Sequence, residues 1–484
     1  MDWQYAPAPE SRAVAAVRDR YLPFVDGRFV EGAGDDLAVD EPGTAAALSA
    51  VSTCTTRDVD TAVKAARRAY DKVWGPMRPA ERGSYLFRIA RGIAERSREL
   101  AVLETLDNGK PIKETRDFDV PTAAQHFFYH AGWADKLGHL GLGPAPRPLG
   151  VAAQVIPWNF PLLMAAWKIA PALAAGNTVV IKSAETTPLS ILVLAEIMAD
   201  AGLPPGVVNV VTGAGDVGEA LLTHPGVDKV AFTGSTAVGK HLLGRLAGTG
   251  RKLTLELGGK GANIVFEDAA IDQAVEGVVN GVFFNQGEVC CAGSRLLVQE
   301  SVADEVLAKL KTRVETLRVG DPMDKNTDVG ALNSARQLAR ITDLLATGEA
   351  EGAEAWTSSA VLPDRGWYLA PTIFTAATAS MRVAREEIFG PVLTTLTFRT
   401  PEEALAKANN TAYGLSAGVW TEKGSRAMGM AAGLRAGVVW DNTFNRFDPT
   451  AGFGGYQESG FGREGGPAGM AAYLDSDDEP TTGR

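Results

Sequence analysis

Cysteine is nearly absent: the 484 residues hold three, Cys54, Cys290 and Cys291. Adjacent cysteines rarely bridge and a third is left over, so no disulfide framework fits and a reducing compartment, the cytoplasm, is expected. Long apolar runs are missing too. The most hydrophobic stretch, Val151 to Ile181, is interrupted by Pro157, Asn159, Pro161, Lys168 and Pro171, which makes it core rather than a membrane span. Met1 to Tyr21 is mixed in charge and lacks the apolar segment of a secretory signal. Basic excess is missing as well. With 47 Lys and Arg against 58 Asp and Glu, the net charge of −11 leaves no stripe to neutralise nucleic-acid phosphates, although a local positive pocket is still allowed. Histidine is scarce, at five residues. His126 and His130 have a metal-like i, i+4 spacing but no third ligand at a recognisable distance, so no metal is expected. No Gly-x-Gly-x-x-Gly fingerprint follows the strand that would need one.

What is present describes an α/β protein. A length of 484 residues exceeds one compact core and predicts two or three domains, and 45% hydrophobic content with 53 glycines fits α/β layers rich in turns. Residues 57–107 read as two or three amphipathic helices, opened by cap chemistry at Arg57-Asp58, with Val59, Val63 and Ala66 at helical spacing. From about Gly150 the pattern alternates. Asn177–Lys182 reads as a buried strand, Thr187-Pro188 as a capped helix start and Gly202-Leu203-Pro204 as its stop. Val207–Val211 and Val227–Phe232 read as strands around a short helix, Asp216–Thr223. Thr233-Gly234-Ser235 then opens a helix over Thr236–Leu246. Such alternation implies a parallel sheet with helices on both faces. A second α/β region follows Gly258-Gly259 and runs to about residue 450.

Three short segments carry chemistry. In Phe283-Phe284-Asn285-Gln286-Gly287-Glu288-Val289-Cys290-Cys291-Ala292-Gly293-Ser294-Arg295, two of the three cysteines stand behind a turn signal and before small residues that let backbone approach a substrate. Adjacent side chains point in different directions, so one of the pair can face a substrate and the other packs. Leu255-Glu256-Leu257-Gly258-Gly259-Lys260 places a carboxylate at the end of an apolar strand, and Ile156-Pro157-Trp158-Asn159-Phe160-Pro161 fixes an amide between prolines. Singly, each has a plain alternative: a buried thiol, a strand-end charge, a turn asparagine. Together they supply a nucleophile, a base and an oxyanion donor, the minimum for covalent acyl chemistry.

In this order and spacing the segments resemble the signatures of the aldehyde dehydrogenase superfamily, and the likeness runs from about Tyr21 to Tyr473. The resemblance implies an α/β fold with a Rossmann-type NAD-binding domain (residues 1–124 and 148–256), an α/β catalytic domain (257–455) and a reduced bridging region (125–147 and 456–484). It implies Cys290 as nucleophile, Asn159 with the Cys290 amide as oxyanion hole, and Glu256 as the base that hydrolyses the thioester. The branch of the family that passes its thioester to coenzyme A characteristically lacks that glutamate, so a free acid is the implied product. Phe232-Thr233-Gly234-Ser235-Thr236-Ala237-Val238-Gly239 resembles the family's strand-to-helix phosphate turn, and Lys182 with Glu185 the pair that holds the adenosine ribose. A carboxylate at Glu185 would repel a 2′-phosphate, so NAD is favoured over NADP. Glu387-Ile388-Phe389-Gly390-Pro391 resembles the segment around the nicotinamide ribose. The same likeness adds Ile156, Pro157, Trp158, Gly215 and Leu257 to the cofactor surface. A non-catalytic assembly partner on the same fold is the alternative function.

Several features depart from the family pattern. Gly261 follows Lys260, and Asp441 occupies a likely strand. The usual bridging hairpin is cut to the Gly- and Pro-dense Leu137–Arg147, and the acidic Leu474-to-Pro480 end reads poorly as its partner strand. With Phe444–Pro449 and Gly460–Gly466, these features are similar to a bacterial subgroup related to the sixteenth aldehyde dehydrogenase family. A homodimer is expected, since proline cannot donate to a ladder and like-charged tails repel across a two-fold. By their match to family pocket positions, Trp158, Phe160, Trp167 and Phe447 would line an apolar tunnel. Arg446 and His126 at its mouth would suit a somewhat polar or anionic aldehyde.

Overall fold

The computed structural model describes residues 6–143 and 146–475. Its largest sheet has eight strands in the spatial order Gly460–Phe461, Lys252–Glu256, Lys229–Thr233, Val151–Val155, Thr178–Lys182, Val208–Val211, Phe24–Val25, Arg28–Phe29. The five central strands are parallel and buried on both sides, as their Val- and Ile-rich sequences require. Helices Pro161–Ala175 and Leu189–Asp200 pack one core, while Val59, Val63, Leu221 and Leu242 belong to another that takes in Val151, Val180 and Val230. Both faces are therefore covered. In chain order the first strand of this unit is Val151–Val155, and it lies between Thr178–Lys182, the next in sequence, and Lys229–Thr233, the fourth. The winding reverses there, and the carboxyl ends of strands flanking such a reversal leave a crevice for a ligand.

Three helices fill the 57–107 region, at Thr56–Ala69, Pro79–Glu95 and Ser97–Asn108. Thr55 and Asp58 form a capping box on the first. The helix predicted to begin at Thr187-Pro188 starts instead at Leu189, and no side-chain hydroxyl caps it. Asp107 does so from another helix, its carboxylate accepting the Leu189 N–H at 2.9 Å. Gly202, in the left-handed region at φ +76°, ends this helix as expected.

After Glu256 the chain crosses through Leu257–Gly261 into a seven-stranded sheet ordered Glu354–Thr357, Thr372–Thr375, Val392–Phe398, Arg295–Gln299, Ala262–Val265, Ser416–Trp420, Val438–Asp441. All neighbours are parallel except the outermost pair, Glu354–Thr357 with Thr372–Thr375. Asp441 is exposed at the end of its edge strand, where a charge costs little. Gly460–Phe461 returns to the first sheet and pairs antiparallel beside Glu256.

The C-terminal segment corrects one expectation. Leu474-Asp475, read from its acidity as a poor strand, pairs antiparallel with Arg147-Pro148 of the same chain. Two residues on each side pair among the described residues. Lys252 offsets the acidity, with an ion pair to Asp475 at 3.2 Å and a hydrogen bond to Leu474 O. The remainder of the acidic end, from Ser476 onward, lies outside the described residues. No helix among the described residues is long and apolar enough to cross a membrane.

Candidate active site

The crevice at the strand reversal opens into a cavity of about 180 Å³ lined by residues from both sheets. Pro157, Trp158 and Asn159 enter it from the end of Val151–Val155, and Thr233, Gly234 and Ser235 from the end of Lys229–Thr233. Glu256, Leu257 and Gly258 enter from the next strand, Cys290 and Cys291 from the loop before Arg295–Gln299, and Glu387 and Phe389 from the opposite wall. Three segments, the first two nearly a hundred residues apart and the third a further 34 along, thus bring Asn159, Glu256 and Cys290 into one cavity.

Cys290 is half-buried, whereas Cys291 and Cys54 are buried, and all three are free thiols. Cys291 Sγ lies 3.9 Å from Asn445 Oδ1 and Cys54 Sγ 4.0 Å from Thr212 Oγ1. Cys291 also borders the cavity, so the pair is separated in exposure rather than placed in different regions. Contact with Cys291 and burial push the Cys290 thiol well above its usual range, which leaves it protonated at rest. Its carbonyl lies where a Cβ on Gly259 would come within 2.4 Å, so that glycine is what lets the Cys290 loop close over the crossover.

Asn159 donates its amide to Glu288 O at 2.9 Å. A side-chain amide has two donor hydrogens, so one stays free for an oxyanion. Glu256 sits in register with Thr233 on one side and Gly460 on the other. Neither of its buried carboxylate oxygens has a hydrogen-bond partner among the described residues. Burial raises its pKa well above the usual carboxylate range, and the charge of Glu464 adds to that. Behind it, Lys168 pairs with Glu464, both buried. The sequence reading did not assign this pair. Lys168 had a signal, a single charge inside the otherwise apolar helix Pro161–Ala175, because a buried ammonium needs a counter-ion. Glu464 had none, since its partner lies 296 residues away.

The residues expected at the cofactor fall into two groups. Pro157, Trp158, Gly234, Ser235, Leu257, Glu387 and Phe389 line the cavity. Ile156, Lys182, Glu185, Gly215 and Phe232 do not. Ile156 and Phe232 are buried supports, and a Cβ on Gly234 would meet the Phe232 ring at 2.5 Å. Lys182 ends its strand in register with Val155, and its Nζ lies 3.7 Å from Glu185. Gly215 begins helix Gly215–Thr223 with open space about its Cα. The features fit a dinucleotide. Ser235 caps the helix Thr236–Leu246 at the cavity wall, so that its amide-rich end faces the crevice, and the buried Thr233 hydroxyl has no hydrogen-bond partner among the described residues. Glu387 accepts the Gly259 N–H at 2.9 Å, with its pKa pushed up to about 7 by burial, and Phe389 stands edge-on to Trp158 at 5.2 Å. Arg336, Gln337 and Arg340 also line this wall, and the sequence analysis did not single them out.

At the other end of the cavity Phe118, Phe160, Leu163, Trp167, Phe447 and Phe453 form an apolar wall. The expected polar mouth is not there. His126 is buried behind Trp167, the ring centroids 5.0 Å apart, and it stacks on His130. Arg446 is exposed and lies outside the lining, with its carbonyl accepting from Trp440 Nε1. Among the described residues no group of three or more His, Cys, Asp or Glu side chains could hold a metal.

A half-buried thiol, an amide donor and a carboxylate without a hydrogen-bond partner among the described residues meet at the ligand crevice of a doubly wound sheet, the arrangement of an enzyme site. The sequence profile of the Aldehyde dehydrogenase family matches residues 29–477. The chain is 45% identical over 463 residues to an aldehyde dehydrogenase of Aspergillus niger, covering 93% of each. It is 43% identical over 478 residues to a mitochondrial benzaldehyde dehydrogenase of Antirrhinum majus, covering 96% of this chain and 89% of that one. The NAD+ complex of an aldehyde dehydrogenase from Bacillus cereus superposes with a TM-score of 0.92 at 38% identity, over 97% and 98% of the two chains. The protein belongs to the aldehyde dehydrogenase family and is an oxidoreductase acting on aldehydes.

Proposed function

We propose that the chain oxidises an aldehyde to a carboxylic acid with NAD through a Cys290 thioester. The carrying observation is the convergence of Cys290, Asn159 and the partnerless Glu256 on one cavity at the strand reversal. The thiol of Cys290, once deprotonated, adds to the aldehyde carbonyl, and the free Asn159 hydrogen with the Cys290 N–H holds the oxyanion. The thiol's proton leaves to solvent, which keeps the Glu256 carboxylate for the hydrolytic step. NAD bound in the crevice supplies the hydride acceptor, consistent with the NAD+ complex of the Bacillus cereus relative. Loss of the hydride leaves a thioester on Cys290. Glu256 then takes a proton from water, hydroxide adds to the thioester, and the acid departs with the thiol regenerated. Lys168 and Glu464 adjust the charge around Glu256.

Lys182 and Glu185 would hold the adenosine ribose, with Glu185 disfavouring a 2′-phosphate. The aromatic wall supports an aldehyde with an apolar tail rather than the polar one expected from sequence. A homodimer and a cytoplasmic setting, where three free thiols stay reduced, complete the proposal. Following NADH absorbance with apolar and hydroxylated aldehydes tests it. Turnover of apolar aldehydes that vanishes in Cys290→Ala is expected; a wild-type protein that binds NAD but oxidises nothing overturns it in favour of the non-catalytic alternative.

A further inference from the structure

The loop that carries Cys290 begins with three successive left-handed residues: Asn285 at φ +49°, Gln286 at φ +51° and Gly287 at φ +75°. Glycine adopts this conformation freely, but for an L side chain it costs roughly 1–2 kcal/mol per residue, so two such residues persist only where the surroundings over-determine them. The surroundings here are specific. Asn285 Nδ2 donates to Asn159 O at 3.0 Å and to Glu288 O at 3.2 Å. Glu288 O accepts the Asn159 amide from the other side, and the Glu288 carboxylate accepts the Asn333 N–H at 3.1 Å. These bonds tie the nucleophile loop to the oxyanion segment. The Asn333 bond leaves the site, but it holds the Glu288 side chain and not the left-handed residues, which require an anchor of their own.

Glu114 supplies that anchor. It ends the short helix Ile112–Glu114, is buried, and accepts the Asn285 backbone N–H on Oε2 at 2.9 Å across 171 residues of sequence. Its own segment is fixed at both ends. Asn108 Nδ2 donates to Trp158 O at 2.7 Å, and the Ile112 N–H donates to Pro322 O at 2.8 Å. Residues 108–114 therefore hold the Trp158-Asn159 segment with one residue and the left-handed turn with another. We infer that Glu114 is a positioning residue, fixing the Asn285–Gly287 turn so that the Cys290 thiol and the Asn159 amide face the same carbonyl. This rests on the reading of Cys290 as nucleophile.

Burial raises the Glu114 carboxyl to about 8, so near neutral pH it is mostly the uncharged acid. Its role is then that of a neutral acceptor, which a glutamine of the same length can fill. That makes Glu114→Gln the rescue variant. Glu114→Ala removes the acceptor, and Glu114→Asp draws it back by one methylene with little change in polarity. The readout is the rate of NADH formation in a single turnover, with saturating enzyme in excess over aldehyde, because that rate does not depend on what fraction of the protein is folded.

A misplacement of about 1 Å at reacting atoms costs on the order of 10²-fold. Glu114→Asp and Glu114→Ala are expected to slow the single-turnover rate at least tenfold, with the affinity for NAD within twofold of wild type. Glu114→Gln should stay within threefold in rate. If alanine prevents folding, the aspartate variant decides. A folded Glu114→Asp protein turning over within threefold of wild type overturns the inference, as does equal loss in the aspartate and glutamine variants. Wild type and Cys290→Ala run alongside. An inactive wild type, or an active Cys290→Ala, would instead overturn the nucleophile assignment.

Discussion

Gly259→Ala tests the site with the least ambiguity, because backbone strain does not enter. Gly259 is not in the left-handed region, so alanine can adopt its conformation. The added Cβ, however, would lie 2.4 Å from the Cys290 carbonyl oxygen, where ordinary contact starts at 3.4 Å. The deficit is about 1.0 Å, and the atom in the way is the backbone of Cys290 itself. Leu415 Cβ at 3.3 Å limits retreat of the new methyl in another direction. The Cys290 loop must therefore move by about the displacement that costs on the order of 10²-fold in rate. Gly258→Ala is the matched control. Its Cβ would meet Glu387 Oε2 at 2.4 Å, the far end of a side chain that can swing away. The expected outcome is a kcat about a hundredfold lower for Gly259→Ala with little change in the KM for NAD. Gly258→Ala should instead raise the KM for NAD, since the proposed reading sets Glu387 at the nicotinamide ribose. Steady-state NADH formation gives both numbers, and circular dichroism confirms folding. A folded Gly259→Ala enzyme with kcat within threefold of wild type would refute the placement of Cys290 over the glycine crossover.

Four further outcomes follow from the geometry. Cys290→Ala should abolish oxidation and leave NAD binding intact while Cys291→Ala keeps most activity, as equilibrium fluorescence titration and turnover assays would show; equal loss contradicts the assignment. Glu256→Gln should release one NADH per site and then stall, since hydride loss precedes hydrolysis, and a missing first turnover would show that Glu256 is also needed to deprotonate Cys290. Because the Cys290 thiol is raised above its usual pKa, its alkylation by iodoacetamide in the cofactor-free protein should still be accelerating as pH approaches 9, with no plateau below that value. Lys168→Met would leave the buried Glu464 charge unpaired and should destabilise the fold by about 3–5 kcal/mol in urea unfolding, whereas a double variant with Glu464→Leu should recover much of that loss.

How far the sequence alone reached depended on the range of the interactions involved. The strands at Thr178–Lys182 and Val208–Val211 and the helix Thr236–Leu246 were legible, because apolar runs and cap residues are local signals. So were Cys290, Glu256 and Asn159, since each sits in a short segment whose neighbours restrict what it can do. The carboxylate that caps Leu189–Asp200, the Lys168–Glu464 pair and the Glu114 bond to Asn285 were not legible, because each joins residues far apart in the chain. Side-chain direction was the other gap. Arg446 and His126 sit close in sequence to pocket residues, yet one points to solvent and the other lies behind Trp167, and only packing decides that. Sequence by itself determined the α/β class and singled out the candidate groups, because these rest on residue type and local periodicity. The tertiary structure decided that the groups share one cavity at the strand reversal, that its far wall is aromatic, and that Leu474-Asp475 pairs with Arg147-Pro148. These depend on register, burial and long-range contact, none of which a local pattern encodes.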